Sequence, residues 1–159
     1  MKTLVVYDSL YGNTRIIAQA IAQAMTGDVQ MMHVKELDVS QLRGYDLLIV
    51  GAPTHGARPS DAVKNLLQRL PATSLAGIKV AAFDTRLPWG ILRLFGFAAP
   101  KIARSLKKKG GKLVCPAEGF LVAGSEGPLR EGEAARASAW GKEIATLVAP
   151  ETPVASLAF

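Results

Sequence analysis

Apolar and polar positions along this chain follow two periods in turn. Short apolar runs at residues 4–7, 29–34, 45–50 and 78–83 read as strands. Between them, apolar residues repeat at helical spacing. Ile17, Ala20, Ile21 and Ala24 share one face of residues 14–25. Val63, Leu66, Leu67 and Leu70 share a face of a second helix, which Ser60 is placed to cap and Pro71 to stop. A short loop or helix spans 37–42. Pro100 predicts the opening of a helix over 101–109, closed by Gly110-Gly111. Residues 112–115 and 120–122 together read as a fifth strand, interrupted at Pro116. A closing helix over 131–148 turns Ala137, Trp140, Ile144 and Leu147 inward.

Apolar strands alternating with helices predict an α/β protein. The expected fold is one domain: a doubly wound, five-stranded parallel sheet with helices on both faces. It occupies residues 1–149, and residues 150–159, with two prolines, read as a C-terminal tail. In such sheets ligands bind beyond the carboxyl ends of the strands, where the strand order reverses. The informative loops are therefore those after the first, third and fourth strands.

Composition narrows the class. Hydrophobic residues make up 49% and charged residues 20% of the 159, which is globular rather than disordered. No apolar run is long enough to span a membrane. The single cysteine, Cys115, cannot form an internal disulfide and reads as a small buried hydrophobe. With no secretory leader pattern, this favours a reducing, cytoplasmic setting. The net charge of +6 is concentrated in one segment. Arg86, Arg93, Lys101, Arg104, Lys107, Lys108, Lys109 and Lys112 lie between Asp84 and Glu118 with no acidic residue among them, which leaves 11 basic against 13 acidic residues elsewhere. An electrostatic partner should meet that segment. It contains no recognised nucleic-acid module, so nucleic acid is not the expected partner.

The first loop, Ser9-Leu10-Tyr11-Gly12-Asn13-Thr14, joins a strand to a helix. The first N–H groups of a helix have no internal partner and sit at the positive end of its dipole, which favours an anion. Ser9, Tyr11 and Thr14 add hydroxyls, Asn13 an amide, and Gly12 permits close backbone approach. No lysine follows the glycine, so this is not the loop that holds a triphosphate with magnesium. Neutral donors suit a monophosphate that is kept rather than transferred. The loop after the third strand, Gly51-Ala52-Pro53-Thr54-His55-Gly56-Ala57-Arg58-Pro59, has a constrained path that brings it beside the first. The loop after the fourth strand starts at Asp84-Thr85-Arg86 and runs on through Leu87, Trp89, Ile91, Leu92, Leu94, Phe95 and Phe97. Such a stretch suits covering a planar ring, forming an interface or touching a membrane surface.

Ser-x-Tyr-Gly-Asn-Thr between strand and helix, followed by Gly-Ala-Pro-Thr after the third strand, resembles the flavodoxin family. The resemblance extends in order and length to about Val148 and is shared with the flavodoxin domains of flavodiiron proteins. It implies noncovalent FMN. Ser9, Leu10, Tyr11, Gly12, Asn13 and Thr14 would hold its phosphate. Pro53, Thr54, His55 and Gly56 would lie beside the isoalloxazine ring, with Asp84, Thr85, Arg86 and Trp89 on its other side. A flexible His55-Gly56 peptide near the flavin N5 would tune its redox balance. No catalytic residue and no metal ligand is implied. The chain departs from the family in its basic charge and in its apolar, arginine-bearing loop after the fourth strand. The expected function is electron transfer with a redox protein, an acidic one that docks between Arg86 and Lys112. The alternative is an FMN-dependent reductase or oxidase acting on a quinone or porphyrinogen. A homodimer or a membrane-surface contact through residues 87–97 is a further expectation.

Overall fold

A computed structural model describes residues 1–88 and 96–150. Its elements run β1 (Lys2–Tyr7), α1 (Asn13–Ala24), β2 (Asp28–His33), two 3-10 segments (Val34–Glu36 and Val39–Gly44), β3 (Leu47–His55), β4 (Arg58–Pro59), α2 (Asp61–Arg69), β5 (Lys79–Arg86), α3 (Ala98–Lys108), β6 (Lys112–Leu113), β7 (Glu118–Leu121) and α4 (Glu133–Val148). The strands form one sheet in the order β2-β1-β3-β5-β6. In addition, β7 pairs with β5 and β4 with β3. All pairings are parallel except β3 with β4.

Among the described residues the sheet therefore has seven strands, where the sequence pattern predicts five. One difference lies at Pro116, which has no N–H to give to a ladder. It separates β6 from β7, and both run parallel to β5. The other is β4, which folds back on the end of β3 and pairs Thr54 with Pro59 and His55 with Arg58. The two residues between, Gly56 and Ala57, both have positive φ, 53° and 66°. That combination makes a two-residue hairpin whose twist matches its strands.

Strand residues alternate between two cores, as side chains of a pleated strand must. Val5, Tyr7, Leu47, Ile49, Ala81 and Phe83 pack with α1 and α4. Leu4, Val6, Leu48, Val50, Val80 and Ala82 pack with α2 and α3. The first core is organised by Phe83, Phe120 and Trp140, whose rings meet edge-on at centroid distances of 6.1–6.3 Å. Phe83 reaches across to β3 and occupies the space over Gly51, where an added Cβ would lie 2.0 Å from the ring.

Helix α3 begins at Ala98, earlier than Pro100 predicts. Its first donors are met from other elements: Ala98 N–H by Thr54 Oγ1 at 3.1 Å and Ala99 N–H by Asp84 Oδ2 at 2.8 Å. Ser60 stands at the N-cap of α2 but makes no capping bond, and its buried hydroxyl has no partner among the described residues. No helix among the described residues is long and apolar enough to cross a membrane. Trp89 and residues 90–95, and the tail from residue 151 onward, lie outside the described residues.

Candidate functional site

The chain leaves β1 for α1 through a tight turn. Gly12 takes the left-handed conformation, φ 92°, at the N-cap of α1. Its missing side chain faces open space, since a Cβ there would meet nothing within 4 Å. The Ser9 hydroxyl folds under the turn and accepts from the N–H of Gly12 at 3.1 Å and of Arg15 at 3.3 Å. Ser9 N–H in turn donates to Asp8 Oδ1 at 3.0 Å, and His33 Nε2 stands 3.2 Å from the same oxygen. The sequence reading treated Ser9 as a donor to the anion. In the fold its oxygen also braces the loop by accepting these two bonds, while its proton can still be donated to an anion, and Asp8 and His33 brace Ser9.

Bracing leaves a defined set of donors over. Among the described residues nothing accepts from the backbone N–H groups of Leu10, Tyr11, Asn13 and Thr14. They cluster at the positive end of α1, where an anion is favoured. The buried Thr14 hydroxyl pairs with that of Thr85, Oγ1 to Oγ1 2.8 Å, and so pins the start of α1 to the end of β5. The Asn13 amide donates to the Glu126 carbonyl at 3.2 Å, which ties in the 124–128 loop.

The end of β5 supplies a clamped cation. Arg86 forms two bonds with Asp84, Nε to Oδ1 2.6 Å and Nη2 to Oδ2 2.7 Å. The Phe97 ring lies over the guanidinium, 3.7 Å from its carbon to the ring centroid. Gly119 leaves room beneath, for a Cβ there would lie 2.2 Å from the guanidinium. Asp84 is wholly buried, and burial raises its pKa above the usual carboxylate value against the pull of Arg86 and of the Ala99 N–H.

These parts enclose a cleft of about 240 Å³. Ser9, Leu10, Tyr11, Asn13, Thr14, Pro53, Thr54, His55, Gly56, Thr85 and Arg86, all sequence candidates, line it. Gly12 contributes its open backbone. Asp84 does not reach the cleft: it points to the α3 side, and its carboxylate is taken by Arg86 and Ala99. Trp89 lies outside the described residues. Sequence reasoning missed Ala57, Gly96, Val122 and Ser125 as cleft residues, and it placed Leu87 and Phe97 only in an apolar stretch. Val122 bridges to Leu129, which folds the 124–128 loop toward the cleft. Cys115 is half-buried and outside the cleft, and burial pushes its thiol up to about 11.

The family model described as Flavodoxin matches residues 5–140 of this chain. The chain belongs to the flavodoxin family. It is 34% identical to the flavodoxin of Synechocystis sp. over 112 residues, which are 68% of this chain and 65% of that protein. The chain spans 61–65% of the length of the curated flavodoxins it matches. Among solved structures it is similar to oxidised Flavodoxin 2 from Bacillus cereus, with TM-score 0.78, 25% identity, and 92% and 99% of the two chains covered. Oxidised Flavodoxin 1 from the same organism aligns with TM-score 0.80 at 20% identity, over 94% of this chain and 100% of that one.

Flavodoxins bind FMN as cofactor. Flavodoxins are a standing example of the switch-point rule, and here the order reverses at β1, with β2 on one side and β3 on the other. The residues present fit the group. Among the described residues, four unpartnered N–H groups and no carboxylate side chain suit a phosphate, and Leu10, Tyr11, Pro53, Leu87 and Phe97 give the cleft apolar walls. Leu10 and Tyr11 are 62% and 52% exposed, which sets them at its mouth.

Proposed function

We propose that residues 1–149 form an FMN-binding domain that serves electron transfer with a protein partner. Bound FMN supplies one- and two-electron redox chemistry, and the chain's own residues set where it sits and what surrounds it. The observation that carries the reading is the cluster of four free N–H groups at Leu10, Tyr11, Asn13 and Thr14, facing the ends of β3 and β5. These groups hold the phosphate, and Ser9 fixes their directions. Pro53, Thr54, His55 and Gly56 border the ring on one side, and Thr85 and Arg86 on the other. Asp84 acts behind Arg86 and touches nothing in the cleft.

The partner is acidic and docks on the basic side between Arg86 and Lys112. Opposite charge there speeds encounter and loses that effect in salt. The test is titration of purified protein with FMN, followed by quenching of flavin fluorescence. Tight binding in the parent and at least tenfold weakening in Ser9→Ala support the assignment. No binding at micromolar FMN overturns it. Association with an acidic redox protein that is as fast in high salt as in low salt refutes the docking side alone.

A further inference from the structure

We infer that the groove between α2 and α3 is a second anion site, for a small ligand carrying two or more phosphate groups. The groove has a volume of about 400 Å³, within the range of small-ligand pockets. Arg58 from β4, Lys64 from α2, Lys101 and Lys108 from α3, and Lys109 just past its end converge on it, and among the described residues no carboxylate lines it. Arg58, Lys64, Lys108 and Lys109 have no ion-pair partner among the described residues. The one acidic residue of α2, Asp61, does not line the groove; with Asp8 it lines the neighbouring cavity on the β1 side, which Arg58 and Lys64 border as well.

A basic helix face is ordinarily a solvated surface. This one differs because cations from three elements crowd a concave space. Like charges walled by low-dielectric protein repel one another and focus their field on whatever enters. Pro59 and Leu67 supply apolar lining for the uncharged part of such a ligand. Concavity and volume favour a small polyanion over the flat face of a protein. This groove uses cations where the α1 cradle uses neutral donors, and Arg58 and Lys64 also line the cavity that lies beside Ser9 and Leu10.

The groove is also wired to the cleft. Lys101 lines the groove and donates from Nζ to the Ala57 carbonyl at 2.5 Å. Ala57 holds a positive φ of 66°, a strained conformation for a residue with a Cβ, in the hairpin that borders the cleft. An anion that draws on the Lys101 ammonium changes the hold on that hairpin.

The test is calorimetric titration of purified protein with pyrophosphate and with ATP at about 150 mM KCl, an ionic strength that screens diffuse surface charge. The expected result is stoichiometric binding, weakened about tenfold or more in Lys64→Ala/Lys108→Ala. Lys35→Ala/Lys142→Ala, which removes two exposed charges elsewhere, should bind within about twofold of the parent. Equal weakening in both pairs means diffuse charge only and overturns the site. So does absence of pyrophosphate binding, even if a glutamate-rich peptide binds. A second readout is the amide NMR spectrum. Pyrophosphate should shift the Gly56 and Ala57 signals in the parent and not in Lys101→Met. Unmoved signals in the saturated parent refute the link to the cleft.

Discussion

Replacing Asp84 with asparagine keeps the size and removes the charge. The side chain of Asp84 is 0% exposed and that of Arg86 18%, so the change leaves a guanidinium with little access to water. Breaking a buried pair from one side costs about 3–5 kcal/mol. Two features set the cost at the low end. The asparagine carbonyl still accepts the Ala99 N–H, and the exposed part of Arg86 takes up water. The expected loss is therefore about 3 kcal/mol, or a fall of roughly 6–12 °C in Tm for a chain of this length. Urea unfolding at 25 °C should show a lower midpoint with an unchanged slope. The double variant Asp84→Asn/Arg86→Met removes both charges, keeps an acceptor for the Ala99 N–H and should recover more than half of the loss, because no unpaired charge is left buried. A loss below about 1 kcal/mol in the single variant would show that the pair does not hold the end of β5. No recovery in the double variant would show that the lost charge is not the cause.

Gly51→Ala places a methyl 2.0 Å from the Phe83 ring and should cost about 3 kcal/mol, most of which Phe83→Leu in the same chain should restore; both are read by urea unfolding. Glu133 accepts from Arg136 and from the Leu121 N–H, and the Arg136 guanidinium holds its carboxyl below the usual 4.5. Its stabilising effect is therefore full above pH 4.5 and is lost as pH falls through the lower folded value, so Glu133→Gln should flatten that part of the stability profile; an unchanged acid limb refutes the pairing. At Ala57, whose φ is 66°, glycine should be tolerated to within about 1 kcal/mol and valine should cost about 2 kcal/mol more than glycine; equal melting temperatures for the two would deny the strain.

Elements that rest on local pattern were legible in the chain. The apolar runs of β1, β3 and β5 and the turn at Gly12 announce themselves within a few residues. What stayed hidden depends on partners far along the chain. The start of α3 is set by Thr54 and Asp84, 44 and 15 residues before the donors they cap. The hairpin at Gly56 and Ala57 was obscured because its second turn residue carries a Cβ where glycine is the usual signal. Ser125 enters the cleft through a loop anchored to Asn13, 113 residues away from Glu126 in sequence. The direction of Asp84 is legible in the strand itself. Strand parity sets Val80, Ala82 and Asp84 toward α3, and Ala81, Phe83 and Thr85 toward α1. Thr85 therefore meets the first loop, and Asp84 cannot.

Parity also explains how a basic chain keeps a nearly neutral cleft. Arg86 is its one arginine among the described residues, and Asp84 answers that charge from within the fold. The remaining donors are backbone N–H groups at a helix start, which attract an anion without adding a full charge. The lysines instead line the flank of α3, on the groove side and beyond it. Screening confines each exposed charge to a range of about 8 Å in physiological salt, so charges on that flank act chiefly on what approaches it. Binding at the α1 cradle should therefore respond weakly to salt and strongly to the geometry of Ser9 and Gly12. Encounters on the α3 flank should do the reverse. The two dependences separate what the fold holds from what it meets.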